Sequence, residues 1–133
     1  MSRTRRDTME EKEKHEKIVY IVSHGADDPE RAILPFMHAN GALTMDVEAV
    51  VILMGSAVML ARKGFMNHVF AGGLPPLKKL MEDFLAQGGR LLLCTPCVQF
   101  RQIDKSELME EAKMIAAAAF TEEVLSANAV LNY

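Results

Sequence analysis

The chain is poor in the residue types that mark disulfide-rich and nucleic-acid-binding proteins. Its 133 residues include two cysteines and no tryptophan, and 15 Lys and Arg are outnumbered by 18 Asp and Glu. Two cysteines separated by only two residues cannot form the disulfide framework of a small secreted domain. The net charge of −3 argues against the broad basic surface that DNA- and RNA-binding proteins present.

Long hydrophobic runs are also missing. The longest apolar stretch, 49–61, is interrupted by Gly55 and Ser56 and falls short of the about 20 residues that a membrane-spanning helix needs. The first 17 residues carry eleven charges and lack the apolar segment of a secretion signal. We therefore expect a cytoplasmic protein with neither a membrane segment nor a nucleic-acid partner. In that reducing compartment a close cysteine pair indicates chemistry or metal binding more often than a structural bridge.

The remaining composition fits one globular domain. Residues 1–16 form a charged segment without apolar periodicity, which predicts a solvated N-terminal tail, flexible or helical. From residue 17 to residue 133, short apolar runs alternate with helical patterns, as in βαβ units. The sequence thus predicts a single-domain α/β fold with a five-stranded, mainly parallel sheet and helices on both faces.

The individual elements follow from these patterns. Apolar runs without alternation, typical of strands buried on both faces, predict strands over 18–22, 47–54 and 90–94. Residues 114–117 are compatible with a strand or a helix, since the alanines favour a helix and the βα rhythm favours a fourth strand, which we predict. An edge strand is predicted over 129–131. Helices are predicted from Pro29 to about residue 40, over 57–62, over 77–87, after the capping-box pair Asp104 and Glu107, and after Thr121 as a cap.

The segment Cys94-Thr95-Pro96-Cys97 needs a chemical explanation. It ends the third predicted strand, and ligands of open α/β sheets bind outside the carboxyl ends of the strands. Backbone N–H groups of the predicted turn, together with Arg101, would create a positive field that favours the nucleophilic thiolate of Cys94. The structural alternative is that Cys94 simply ends a buried strand as a small apolar side chain.

Several functions are compatible with this cysteine pair. A closed metal site needs two further ligands, and none of the four histidines has a paired spacing with the cysteines, so we expect no metal and no other cofactor. Dithiol–disulfide exchange by Cys94 and Cys97 is chemically plausible, but such a motif is expected to open a long helix early in a domain, and here a loop is predicted after it. A persulfide on one cysteine is the third possibility.

A non-catalytic oligomeric module that binds a small anion or nucleotide is an alternative from another class. The sequence contains no Gly-rich phosphate loop of recognised spacing to support it, since the Gly72-Gly73 and Gly88-Gly89 pairs lack the rest of such a motif.

Several segments in the same order resemble the DsrE/DsrF-like family. The family comprises small α/β proteins of sulfur metabolism, including the sulfur-relay proteins of tRNA thiolation. The matching segments are Ser23-His24-Gly25, 28–32 with Pro35-Phe36, 58–64, 94–98 with Arg101 and Ile103, and 127–133. Only the charged tail lies outside the resemblance.

The resemblance implies that Cys94 is a persulfide carrier. The family's functional cysteine stands at the end of this strand with an arginine seven residues later, the spacing of Cys94 and Arg101. Cys97 is then a helper or resolving thiol, and Gln102 departs from the glycine usual at its position. His24 is expected to assist as acid, base or anion-binding group if the first and third strands are neighbours.

The expected function is therefore that of a sulfur carrier or possible sulfurtransferase. We expect its substrate pocket to include Gly25, Met54, Gly55 and Thr95. Its expected partners are sulfur donor and acceptor proteins or small thiols, and the resemblance implies a homotrimer or homohexamer.

Overall fold

The computed structural model of the chain describes Thr4 and residues 15–133. The predicted tail, 1–16, lies outside these residues except for Thr4, His15 and Glu16. The elements are β1 (Lys17–Val22), α1 (Pro29–Thr44), β2 (Glu48–Leu53), 3₁₀ helices Gly55–Ala61 and Phe65–His68, α2 (Leu77–Ala86), β3 (Arg90–Cys94), α3 (Thr95–Phe100), a 3₁₀ helix Lys105–Glu107, β4 (Ala112–Ile115), α4 (Ala117–Leu125) and β5 (Ala129–Asn132).

The strands form one sheet in the order β4-β3-β2-β1-β5, and every pairing is parallel. This confirms the predicted five-stranded α/β fold and makes the sheet wholly parallel. The register places Val22 opposite Leu53, Leu53 opposite Leu93 and Cys94 opposite Ile115. The carboxyl ends of β1 to β4 therefore meet along one edge of the sheet, where Cys94 lies between the ends of β2 and β4.

One face of the sheet is covered by α1 and α2. Asp28 caps α1 by accepting a hydrogen bond from the Arg31 N–H at 3.2 Å, as the sequence predicts. Phe36 of α1 and Phe84 of α2 are fully buried and make an edge-to-face contact, with ring centroids 5.6 Å apart. These helices and the strand residues beneath them form the larger of two apolar clusters, which we call the large core.

Within the part of the chain that the structure describes, α4 is the helix that covers the other face. Four buried side chains, Val19, Val50, Ile52 and Leu92, form what we call the small core. Phe120 of α4 packs on this cluster, but α4 has no fully buried residue. Helices therefore cover both faces, but unequally.

Ion pairs attach α4 to the sheet. The Lys17 Nζ donates hydrogen bonds to Glu123 Oε1 at 2.8 Å and to Ser126 Oγ at 2.7 Å. Arg90 at the start of β3 donates to Glu123 and to Glu48 of β2. Burial raises the pKa of Glu123, and the hydrogen bonds from Arg90 and Lys17 outweigh it, so the net shift is downward.

Some element boundaries differ from the predictions. The predicted cap at Thr121 is wrong because α4 begins four residues earlier, at Ala117, and the Thr121 hydroxyl donates to the Ala117 carbonyl at 2.9 Å. The alanines before Thr121 are strong helix formers and extend the helix toward β4. The capping box between Asp104 and Glu107 is confirmed.

The predicted loop after Cys97 is wrong as well, because α3 begins at Thr95 and ends at Phe100. Pro96 stands in its first turn, where the missing N–H is not needed. None of the helices in the described part of the chain is long and apolar enough to cross a membrane.

Candidate functional site

Cys94 lies where β3 passes directly into α3. It is half-buried and serves as the residue before the first turn of the helix. The Thr95 hydroxyl donates to the Ile115 carbonyl at 2.7 Å, which ties the start of α3 to the end of β4. The segment is thereby held between two neighbouring strands at the carboxyl edge of the sheet.

The two cysteines are free and face each other. The Cys97 Sγ lies 2.8 Å from the Cys94 Sγ, and the Gly55 N–H donates to the Cys97 Sγ at 3.2 Å. Gly55 adopts a φ of 56°, a conformation that favours glycine, directly after β2. The segment after β2 thus supplies a polar contact to the thiol pair through Gly55, one of the predicted site residues.

A small apolar cavity of about 180 Å³ opens beside Cys94. Its wall consists almost entirely of hydrocarbon and sulfur: Ile52, Met54, Cys94, Pro96, Ile115, Ala116, Ala117 and Phe120. Four of these, Ile52, Met54, Ile115 and Phe120, belong to the small core or pack on it. The cavity therefore lies on the α4 side of the sheet, whereas Cys97 packs against the large core.

Burial of the sulfur raises the pKa of Cys94 above its ordinary value of 9.0, and the neighbouring Cys97 thiol adds to the increase. The Cys97 N–H and the Arg101 guanidinium act in the opposite direction without overcoming it. The expectation of a depressed Cys94 pKa is therefore wrong for this chain. The field of Arg101 is present, but removing the thiolate from water outweighs it.

Arg101 follows the end of α3 and does not contact either sulfur directly. Its Nη1 donates to the Cys97 carbonyl at 3.2 Å, and its guanidinium lies 5.8 Å from the centre of the Phe100 ring. Gln102, at the position where the resemblance leads one to expect glycine, has a φ of 52°. The turn therefore keeps a left-handed conformation without the residue that adopts it most easily.

His24 does not lie beside Cys94. The condition for that prediction fails because β2 separates β1 from β3 in the sheet. The His24 ring instead contacts Asp27 at 2.8 Å, and Asp27 also accepts from the Gly25 N–H at 2.8 Å. These hydrogen bonds, to His24 first, lower the pKa of Asp27 to about 2.

The other predicted pocket residues divide between two places. Met54 lines the cavity and Gly55 contacts Cys97, so both lie at the thiol pair. Gly25 packs on the 3₁₀ helix Gly55–Ala61, where an added Cβ would come within 2.9 Å of the Ser56 carbonyl oxygen. Thr95 is used in the bond to β4 and is not part of the cavity wall.

Sequence reasoning missed the α4 side of the cavity. Ile115, Ala116 and Ala117 follow β4, and Phe120 approaches from the next turn of α4. The rule that carboxyl ends of parallel strands meet at one edge would have placed Ile115 beside Cys94 once β4 was assigned next to β3. Within Thr4 and residues 15–133, no group of three or more His, Cys, Asp and Glu side chains is arranged to hold a metal ion.

Comparisons with known proteins agree with this architecture. The E. coli ychN protein superposes with a TM-score of 0.74 at 21% identity, covering 89% of this chain and 99% of that one. MTH1491 of Methanobacterium thermoautotrophicum, a protein of unknown function, has a TM-score of 0.69 at 15% identity, with coverage of 89% and 99%. These identities establish a shared fold only.

Sequence comparison identifies a relative in Methanocaldococcus jannaschii, the uncharacterized protein MJ0760. The two are 30% identical over 107 residues, which cover 80% of this chain and 39% of that protein. The chain thus spans about two fifths of the curated relative it matches. Residues 16–133 match the DsrE/DsrF-like family, and this chain belongs to that family.

Proposed function

We propose that the protein is a sulfur carrier of the sulfurtransferase type, which holds sulfane sulfur as a persulfide on Cys94 and passes it to a partner thiol. The observation that carries the proposal is the half-buried Cys94 at a strand end, with its side chain in the wall of an apolar cavity. Membership of a family usually associated with sulfur relay supports it.

Loading would be a sulfur transfer between thiols. The Cys94 thiolate attacks the terminal sulfur of a donor persulfide, the donor's S–S bond breaks, and the donor leaves as a thiolate. Release repeats the step, with an acceptor thiolate attacking the outer sulfur and Cys94 as the leaving group. Each transfer conserves electrons, so neither needs an oxidant or a cofactor.

The cavity suits the outer sulfur of such a persulfide. A neutral S–SH group is apolar and polarizable, and the surrounding Met54, Ile115 and Phe120 side chains offer dispersion contacts without a hydrogen-bonding group. The same burial that raises the pKa of Cys94 disfavours a charged persulfide. Partial exposure leaves Cys94 open to donor and acceptor proteins or small thiols.

Loading can be tested with two matched serine variants. Reduced Cys97→Ser protein is incubated with sodium polysulfide and its intact mass is measured; we expect the mass of one sulfur atom to be added at Cys94. Cys94→Ser, which makes the same exchange three residues away, should not load. Loading should accelerate as the pH rises toward 9.0 and above, since the raised pKa of Cys94 keeps it protonated at neutral pH.

Equal loading of the two variants would contradict Cys94 as the carrier. If neither variant loads at any pH while both remain folded by circular dichroism, the persulfide proposal fails. The non-catalytic binding module would then be the better description of the cavity.

Dithiol–disulfide exchange is a second candidate, favoured by the 2.8 Å separation of the two sulfur atoms. It predicts that the chain reduces a disulfide substrate, such as oxidised glutathione, while forming a Cys94–Cys97 disulfide. Either serine variant should abolish turnover, whereas sulfur carriage needs only Cys94. Measuring both reactions with the same two variants separates the candidates.

We also propose that the protein assembles as a homotrimer or homohexamer, as the family resemblance implies. The exposed side of α4 supports this, since the helix has no fully buried residue and Leu125 at its end is 80% exposed. Light scattering should give a molar mass three or six times that of the chain, and a monomer in solution would contradict the proposal.

A further inference from the structure

Cys97 has no role in the carrier reaction, although its sulfur lies 2.8 Å from that of Cys94. We propose that Cys97 is a resolving nucleophile, which discharges an unclaimed persulfide on Cys94 as hydrogen sulfide and forms an intramolecular disulfide. The inference rests on the proposed persulfide and adds a second outcome for it. Sulfur goes to an acceptor thiol when one is docked and is otherwise released in reduced form.

The two cysteines and the cavity have the arrangement that this displacement requires. Attack at a sulfur atom proceeds with the incoming and leaving groups on opposite sides of it. Cys94 packs against the large core and also lines the cavity on the small-core side, whereas Cys97 packs against the large core and is not in the cavity wall. A persulfide whose outer sulfur occupies the cavity therefore exposes its inner sulfur, Cys94 Sγ, to Cys97.

The displacement conserves atoms and electrons without a co-reactant from outside the chain. The Cys97 thiolate attacks Cys94 Sγ, an S–S bond forms between the two residues, and the bond from Cys94 Sγ to the outer sulfur breaks. The outer sulfur takes the bonding electron pair and leaves as hydrosulfide. Sulfane sulfur is thereby reduced to sulfide, the two cysteines are oxidised to a disulfide, and the proton of the Cys97 thiol passes to solvent or to the leaving sulfide.

The surroundings of Cys97 favour its role as the attacking thiol. The Gly55 N–H donates to its sulfur at 3.2 Å and stabilises the negative charge that develops there. Arg101 donates to the carbonyl of the same residue at 3.2 Å, which places a positive charge beside the turn that carries Cys97. Burial raises the pKa of Cys94, although the Cys97 N–H and Arg101 act in the opposite direction.

The disulfide must be reduced before the chain can load again. A dithiol reductant, or two monothiols acting in sequence, supplies these two electrons through thiol–disulfide exchange. Sulfide release is therefore limited to one turnover in the absence of a reductant. This single turnover distinguishes the reaction from simple persulfide carriage, which leaves both cysteines reduced.

The experiment follows persulfide, sulfide and disulfide in one sample. Reduced chain is treated with sodium polysulfide, freed of excess reagent, and kept without thiols or reductant. We expect each loaded wild-type chain to release one hydrogen sulfide and to end two hydrogens lighter than the reduced, unloaded chain as its disulfide forms. Cys97→Ser should keep its persulfide at least about tenfold longer, since an intramolecular nucleophile is lost.

Two comparisons separate a nucleophile from a merely positional group. Cys97→Ser keeps an acceptor for the Gly55 N–H, whereas Cys97→Ala does not. If Cys97 acts as a nucleophile, both variants should release sulfide equally slowly, because both lack the thiol. The inference is overturned if wild-type chain and Cys97→Ser load Cys94 and hold the persulfide equally long, which leaves sulfur carriage intact. If no variant with Cys94 loads, the proposed function fails and this inference fails with it.

Discussion

The two faces of the sheet are built from different interactions. The large core buries aromatic and aliphatic side chains from α1 and α2, whereas the small core consists of four buried strand residues beneath α4. The helix over the small core, α4, is attached through Glu123 to Lys17 and Arg90 more than through buried hydrocarbon. One face therefore supplies most of the stability, and the loosely covered face leaves room for the cavity beside Cys94.

Phe84→Ala should produce the largest loss of stability because it removes a fully buried ring from the large core. The expected decrease in the free energy of unfolding is about 3–5 kcal/mol, from lost transfer energy and the cavity left beneath α2. Urea denaturation measures it. If Phe84→Ala lowered the free energy of unfolding by less than Phe120→Ala does, the large core would not be the face that supplies most of the stability.

Glu123→Gln should weaken the attachment of α4. The change leaves the buried Lys17 ammonium without its charged partner, and we expect a loss of roughly 1–3 kcal/mol. The wild-type pKa of Glu123 is lowered on folding, so its contribution is present above its ordinary value of 4.5 and is lost as the pH falls below it.

Denaturation of wild type and Glu123→Gln at pH 7 and below pH 4.5 tests this linkage. The difference in stability between them should shrink at the lower pH. A constant difference would show that the carboxylate charge does not hold the helix.

Phe120→Ala should have a smaller effect, because Phe120 is only half-buried on the small core. We expect about 1–2 kcal/mol of destabilisation together with faster alkylation of Cys94, since the mutation widens the cavity in whose wall both residues lie. Iodoacetamide labelling of the Cys97→Ser background isolates Cys94. Unchanged labelling would mean that α4 does not control access to the thiol.

Gln102→Gly should give the smallest change and the only gain. Gln102 has a φ of 52° after α3, and glycine relieves that strain while adding freedom to the unfolded chain. The expected net stabilisation is up to about 1 kcal/mol, measured as a shift in the thermal midpoint. Gln99→Gly, inside α3 on the same turn of chain, is the matched control and should destabilise.

Local patterns were sufficient for most of the fold. The non-alternating apolar runs identified the three central strands, and Asp28 with Pro29 marked the start of α1. The βα rhythm predicted the fourth strand, but two residues too late, since β4 is Ala112–Ile115. The start of α4 was missed because the alanines before Thr121 are compatible with strand or helix until the position of β4 is known. Cys94, Met54 and Gly55 were recognised as strand-end residues, and they do lie together.

The sequence by itself determined the α/β class, the family and the residue at the carboxyl end of β3, because these depend on periodicity and on neighbours along the chain. Only the tertiary structure decided that β2 separates His24 from Cys94, that α4 completes the cavity, and that the Cys94 pKa rises. Those properties depend on strand order and on burial, and both arise from contacts between residues distant in the sequence.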